Sequence, residues 1–257
     1  MVHCAAYTAV DAAEDNVEIC RKVNADGTQN IANVCKKLDC KMVYISTDYV
    51  FDGEGTRPWE PEDERHPLNV YGQTKYEGEL AVQNTLEKYF IVRIAWVFGL
   101  NGKNFIKTML NVGKTHDHLT VVNDQFGSPT YTYDLARLLV DMVLTDKYGI
   151  YHATNEGICN WYEFACEIFR QAGMKVDVAP VPASEYPTKA KRPENSRMSQ
   201  SQADRERIRK ASFLAGCVRE ISERNPVNRL CVSRKITGNT SGAVSESGTA
   251  PIFGTNV

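Results

Sequence analysis

A phenol and an amine four residues apart, Tyr71 and Lys75, together with a hydroxyl at the polar end of an apolar run, Thr47, are the groups in this chain whose types and spacing suit proton chemistry. On a helix, positions four apart share one face, so the pair would set a cation beside a phenol. An unperturbed tyrosine titrates at about pH 10. A neighbouring positive charge favours its ionised form and moves the phenol toward working pH as a proton donor. Thr47 is placed to hold the acceptor oxygen of a substrate. With 12 tyrosines in the chain the spacing alone carries little weight. The three groups together carry much more.

The elements that must position them can be read from the same stretch. Residues 42–51, MVYISTDYVF, read as a strand whose apolar part, Met42 to Ile45, is buried and whose polarity begins at Ser46, Thr47 and Asp48. Ligands of open α/β sheets bind at that edge. A loop rich in turn residues follows, then Pro67, a candidate N-cap Asn69, and a helix opening YGQTKYEGEL.

A strand ending in STDYVFDG followed by NVYGQTK resembles the extended short-chain dehydrogenase/reductase family and, within it, the dTDP-4-dehydrorhamnose reductases. The resemblance implies an α/β fold built on a Rossmann-like, doubly wound parallel sheet with a smaller substrate-binding part. It implies hydride transfer from NADPH or NADH to the C4 ketone of dTDP-4-dehydro-L-rhamnose, a step of nucleotide-sugar and cell-surface polysaccharide synthesis. Thr47, Tyr71 and Lys75 become the catalytic trio, with Lys75 lowering the tyrosine pKa and holding the cofactor ribose. Ala5, Ala6, Tyr7 and Thr8 match the family's loop beside the nicotinamide ribose, and Asn24, in VNADGTQNIA, matches a residue that holds the lysine through a water. Asp48 and Trp96 would contact the sugar nucleotide, and Asn104, Gln125 and Thr130 its base or phosphates. Arg192, in AKRPENSRMS, suits phosphate by charge and fork geometry. Each has a plainer alternative: a solvated strand end, a polar helix residue, a core aromatic, turn chemistry or a surface arginine.

Composition narrows the class. The chain has 257 residues, 42% of them hydrophobic, enough for one large domain or two small ones. A net charge of -2 without single-sign runs gives no reason to expect nucleic acid or a membrane surface as partner. No apolar stretch approaches the roughly 18 residues of a membrane span, and the eight cysteines show no paired ligand spacing, so the chain reads as cytoplasmic, with reduced thiols and no metal site. The resemblance leaves room for a homodimer.

Elsewhere, residues 15–38 read as a helix with an irregular start, its apolar positions Val17, Ile19, Val23, Ile31, Val34 and Leu38 fitting one face poorly at first and better after Thr28. YFIVRIAWVFG reads as one strand closed by Gly99, NFIKTMLNVGK and TYDLARLLVDMVL as helices, LTVV and GIYHAT as strands. Asn160 and Glu163 form a capping pair for a helix ended by Gly173, His152 is a packing residue, and residues 175–182 are the last strand. The division expected is 1–100 as the dinucleotide-binding part, 101–199 as mainly the substrate-binding part, and 200–257 as a polar tail unlike the family, disordered and consistent with a shifted reading frame over a terminal helix. The chain opens on what reads as a strand end, with no GxxGxxG turn, so roughly 55–60 residues of two βα units are expected to be missing and cofactor pyrophosphate to be held poorly.

Two other functions compete. A sugar-nucleotide epimerase or 4,6-dehydratase of the same family is one; dehydration needs two carboxylates after the threonine, whereas Thr47 is followed by Asp48 and Tyr49. A non-catalytic regulatory subunit with a reductase-like fold is the other, and the intact trio argues against it.

Overall fold

Side-chain alternation along the second strand explains why helices cover both faces of the main sheet. The computed structural model describes residues 1–201. Its strands are β1 (Val2–His3), β2 (Met42–Thr47), β3 (Tyr89–Ile94), β4 (Val97–Phe98), β5 (His118–Val122), β6 (Phe126–Gly127), β7 (Thr130–Tyr131), β8 (Gly149–His152), β9 (Cys159–Asn160), β10 (Asp177–Val181) and β11 (Asn195–Ser196). The α-helices are α1 (Val10–Ala13), α2 (Val17–Arg21), α3 (Gly27–Lys37), α4 (Val70–Thr85), α5 (Phe105–Val112), α6 (Thr132–Val143) and α7 (Trp161–Ala172).

Strands β1, β2, β3 and β8 pair in that order, all parallel. Successive residues of a strand face opposite sides. Met42 and Tyr44 pack with Ala32 and Cys35 of α3 and Val82 of α4. Val43 packs with Val92 and with Leu138 and Met142 of α6. A strand buried on both faces is apolar at consecutive positions, and this is the doubly wound α/β arrangement expected. A separate core joins Phe105, Ile106 and Met109 of α5, Leu119 and Val121 of β5, and Phe164 and Ile168 of α7. β5 pairs with β10 there, and short ladders β4–β7 and β11–β6–β9 flank it. The disorder and shifted frame expected for the tail lie, beyond Ser201, outside the described residues. Among the described residues no helix is long and apolar enough to cross a membrane.

Local signals hold where they are strong. Asn69 caps α4, accepting from the Gly72 amide at 2.8 Å. Asn160 and Glu163 form a capping box, and Gly173 ends α7 at φ +66°.

Four expectations need correction. β2 ends at Thr47, not Phe51, because Asp48–Val50 turns as a 3-10 segment with the Tyr49 amide donating to Thr47 Oγ1 at 3.3 Å. The run from Tyr89 to Gly99 is two strands, broken at Trp96, whose φ is +48°; Val97 and Phe98 leave the main sheet to pair with Thr130 and Tyr131. β10 is not the last strand, since Asn195–Ser196 pairs with Phe126–Gly127. In the helical stretch, α2 and α3 are joined through a π-helical turn at Lys22–Asp26, and the buried face is Cys20, Asn24, Thr28, Ala32 and Cys35, while Ile19, Val23, Val34 and Leu38 are exposed. Small residues are needed there because α4 comes close: a Cβ on Gly78 would stand 2.3 Å from Tyr44 Oη and 2.6 Å from the Asn24 carbonyl oxygen.

Gly72 makes a second close approach. A Cβ on it would lie 2.1 Å from the Tyr49 carbonyl oxygen, so the first turn of α4 meets the turn after β2 backbone to backbone. Gly72→Ala should overpack this contact and cost about 1–3 kcal/mol. The change should appear as a lower urea midpoint with an unchanged slope; a parental midpoint would show that the two turns separate without cost.

Candidate active site

The sheet edge and the first two turns of α4 bring the predicted trio into one place. Thr47 ends β2 and is buried; its hydroxyl donates to Asp48 Oδ1 at 2.9 Å and lies beside the Tyr71 hydroxyl. Tyr49 stands edge-on to Tyr71, ring centroids 5.5 Å apart at 76°. Lys75, one helical turn on, is buried under the same edge, its Nζ donating to the Ile45 carbonyl at 2.7 Å and lying 4.0 Å from the Tyr44 ring centroid.

The electrostatics differ from the expectation that Lys75 lowers the Tyr71 pKa. Burial raises Tyr71 well above its ordinary value, the Thr47 hydrogen bond partly offsets this, and the Asp48 charge raises it further; Lys75 is not among the groups that shift it. The ammonium is committed to the Ile45 carbonyl. Burial also lowers Lys75 to about 7, against the opposing attraction of Glu79. Asp48 is raised to about 6 by burial, with hydrogen bonds from Ser196 and Thr47 opposing. Tyr49 is raised to about 12, again chiefly by burial, with Arg192 opposing.

Behind Lys75 lies an ion pair absent from the sequence reading. Arg93 of β3 grips Glu79 of α4 at 2.8 and 2.7 Å, Ser46 donates to the same carboxylate at 2.6 Å, and Arg93 donates to the Pro61 carbonyl at 3.0 Å. Both charged side chains are fully buried. His152, at 3.3 Å from Arg93, is a packing residue as expected, burial holding its pKa well below the ordinary value.

Ala5, Ala6, Tyr7 and Thr8 follow β1 at the same edge. Asn24 clamps this loop: its Oδ1 accepts from the Tyr7 amide at 2.7 Å and its Nδ2 donates to the Tyr7 carbonyl at 3.2 Å and to Thr74 Oγ1 at 3.0 Å. Asn24 is therefore a fully buried anchor between the loop and α4.

The remaining candidates separate into two groups. Trp96 is brought to the edge beside β6; a Cβ on Gly127 would lie 2.8 Å from its ring and 3.2 Å from Ser196 Cβ. Ser196 in turn meets Asp48, so Trp96 and the buried Asp48 are linked through β6 and β11, with Gln125 just before β6. Arg192 pairs with Asp11 at 2.7 Å and reaches Tyr49, while Asn69 Nδ2 donates to the Lys191 carbonyl at 2.8 Å, fastening the segment to the N-terminus of α4. Asn104 and Thr130 do not join this group. Asn104 caps α5, accepting from Lys107 and donating to the Gly99 carbonyl, and Thr130 accepts from the Ala95 amide inside the fold. Trp161, stacked 3.7 Å from Trp96, escaped notice because nothing local links residues that far apart. Tyr49 and Ser196 were missed too, although Tyr49 sits inside the STDYVFDG run.

The family described as the RmlD substrate binding domain matches residues 1–223. The chain belongs to this family. The match passes Ser199, where the sequence reading ends the resemblance, and so extends it into the tail. A dTDP-4-dehydrorhamnose reductase of Escherichia coli is 40% identical over 210 residues, covering 77% of this chain and 70% of that protein. The crystal structure of a dTDP-4-dehydrorhamnose reductase from Clostridium acetobutylicum superposes with a TM-score of 0.84 at 44% identity, over 86% of this chain and 79% of that one. The Bacillus anthracis dTDP-4-dehydrorhamnose reductase, solved in complex with NADP, gives 0.83 at 40% identity, over 86% and 78%. Within the family, then, the chain resembles reductases over most of the described residues.

Proposed function

We propose that this chain reduces dTDP-4-dehydrorhamnose to dTDP-rhamnose with NADPH, serving nucleotide-sugar and polysaccharide synthesis. The observation that carries the reading is the meeting of Thr47, at the C-terminal edge of β2, with Tyr71 of α4, with Lys75 buried one turn along the same helix. The residues fit a nicotinamide ribose by the chemistry of their donors: the loop at Ala5–Thr8 is held from behind by Asn24, and Tyr71 and Lys75 offer a hydroxyl and an ammonium beside it. When bound, the cofactor supplies a hydride.

The protein's part is to bind, orient and protonate. Tyr71, kept protonated through neutral pH by burial, gives its proton to the carbonyl oxygen as negative charge develops there. Thr47 orients that oxygen, and preorganised donors at this position lower the barrier most. Lys75, anchored to Ile45, holds the ribose hydroxyls. Asp48, Trp96 and Gln125 border the sugar nucleotide, and Arg192 lies at its phosphates, exchanging Asp11 for them. Residues 1–100 form the dinucleotide-binding part and 101–199 mainly the substrate-binding part.

The test is turnover. The chain mixed with NADPH and dTDP-4-dehydrorhamnose should consume nicotinamide absorbance and form dTDP-rhamnose in equal amounts. No product at any pH with NADPH in large excess, the condition that a weakly held pyrophosphate requires, overturns the reading.

A further inference from the structure

The Thr47 hydroxyl has a single proton, and the structure commits it. Thr47 Oγ1 donates to Asp48 Oδ1 at 2.9 Å, accepts from the Tyr49 amide at 3.3 Å and faces the Tyr71 hydroxyl. An ionised carboxylate only accepts hydrogen bonds, so while Asp48 is charged the Thr47 proton is turned away from a carbonyl lying beside Tyr71. A protonated carboxyl donates instead, and the Thr47 proton is released toward that carbonyl.

We infer that Asp48 is a positioning residue for the reduction: protonated, it donates to Thr47 and lets Thr47 donate to the substrate carbonyl; ionised, it withdraws that donor. The inference rests on the reductase reading above. No bond to hydrogen breaks at Asp48 or Thr47, and the proton that ends on the product oxygen is still that of Tyr71.

The surroundings suit a carboxyl that changes state. Asp48 and Thr47 are both buried. Asp48 faces Tyr49 from its own turn, Tyr71 from α4 and the Ser196 hydroxyl from β11. The cations nearby are engaged elsewhere: Arg192 with Asp11 and Tyr49, and Lys75 with the Ile45 carbonyl. Burial therefore prevails, and Asp48 titrates at about 6.

The experiment compares kcat of Asp48→Asn with that of the parent across pH. The asparagine amide donates at every pH; the titration of Lys75 is common to both proteins, and Tyr71, raised by burial, stays protonated through neutral pH in the parent and is followed separately in the variant by its phenolate absorbance. The ratio of variant to parent should rise about tenfold per pH unit above about 6; a flat ratio overturns the inference. In a Thr47→Val background, Asp48→Asn should change kcat no further, whereas a full effect there would mean that Asp48 acts on the substrate directly. A third reading needs no turnover. The infrared carbonyl band abolished by Asp48→Asn should titrate through about pH 6, and a carboxyl ionising at the ordinary value of about 3.9 overturns the inference by itself. Absence of turnover strikes the reductase reading, and the infrared result strikes this one.

Discussion

Tyr71→Phe should lower kcat by about 10²–10⁴-fold, the usual contribution of a positioned proton donor, while KM for the sugar nucleotide changes little. Phenylalanine keeps the ring that packs edge-on against Tyr49 and removes only the hydroxyl beside Thr47. The loss therefore falls on an interaction made in the transition state, which lowers kcat and kcat/KM together. Steady-state kinetics with saturating NADPH measure it. Parental turnover in the variant would remove Tyr71 from the acid role, and a large rise in KM alone would make it a binding residue.

Glu79→Ala should destabilise the fold by about 3–5 kcal/mol, because it leaves Arg93 as an unpaired charge in an interior site. The same pair makes the protein sensitive to acid. Burial alone would raise the Glu79 pKa, but the charge and hydrogen bonds of Arg93, together with Ser46, outweigh it and hold the carboxyl below its ordinary value. A depressed carboxylate contributes stability that is complete above its unfolded value, about 4.3, and is lost as pH falls through the folded value. Urea unfolding of the parent should therefore weaken on acidification below about pH 4, and the Glu79→Ala variant should show a smaller decline. Equal acid slopes in the two proteins would place the titration elsewhere.

Much of the fold was legible because its signals are local. The β2 strand, the Asn69 cap, the Asn160–Glu163 box and the alternation of strands and helices depend on residues within one turn of each other. What stayed hidden depends on partners distant in sequence. The break at Trp96 has no local cue, since a bulky residue at positive φ is set by the demand that β4 reach β7. The buried face of the Asn24 region is polar and small because Gly78 brings α4 against it, and the apolar positions there, fitting no single face well, gave no sign of it. The trio itself could be named from residue types and spacing, but the direction of the Lys75 ammonium could not. It is decided by a carbonyl on β2 and a ring beneath it, and the phenol is governed by burial in place of the lysine's charge.

The π-helical turn at Lys22–Asp26 carries a consequence for how this enzyme can change. Compared with an α-helical turn it holds one extra residue, so removing a residue there would yield a more regular helix and swing neighbouring side chains about 100° around the axis. Asn24 would then no longer clamp Tyr7, and the loop at Ala5–Thr8 would be freed while the helix itself became easier to form. Selection for thermal robustness and selection for turnover therefore pull this turn in opposite directions, and a variant library sorted on folding alone should drift toward deletions that a library sorted on catalysis rejects.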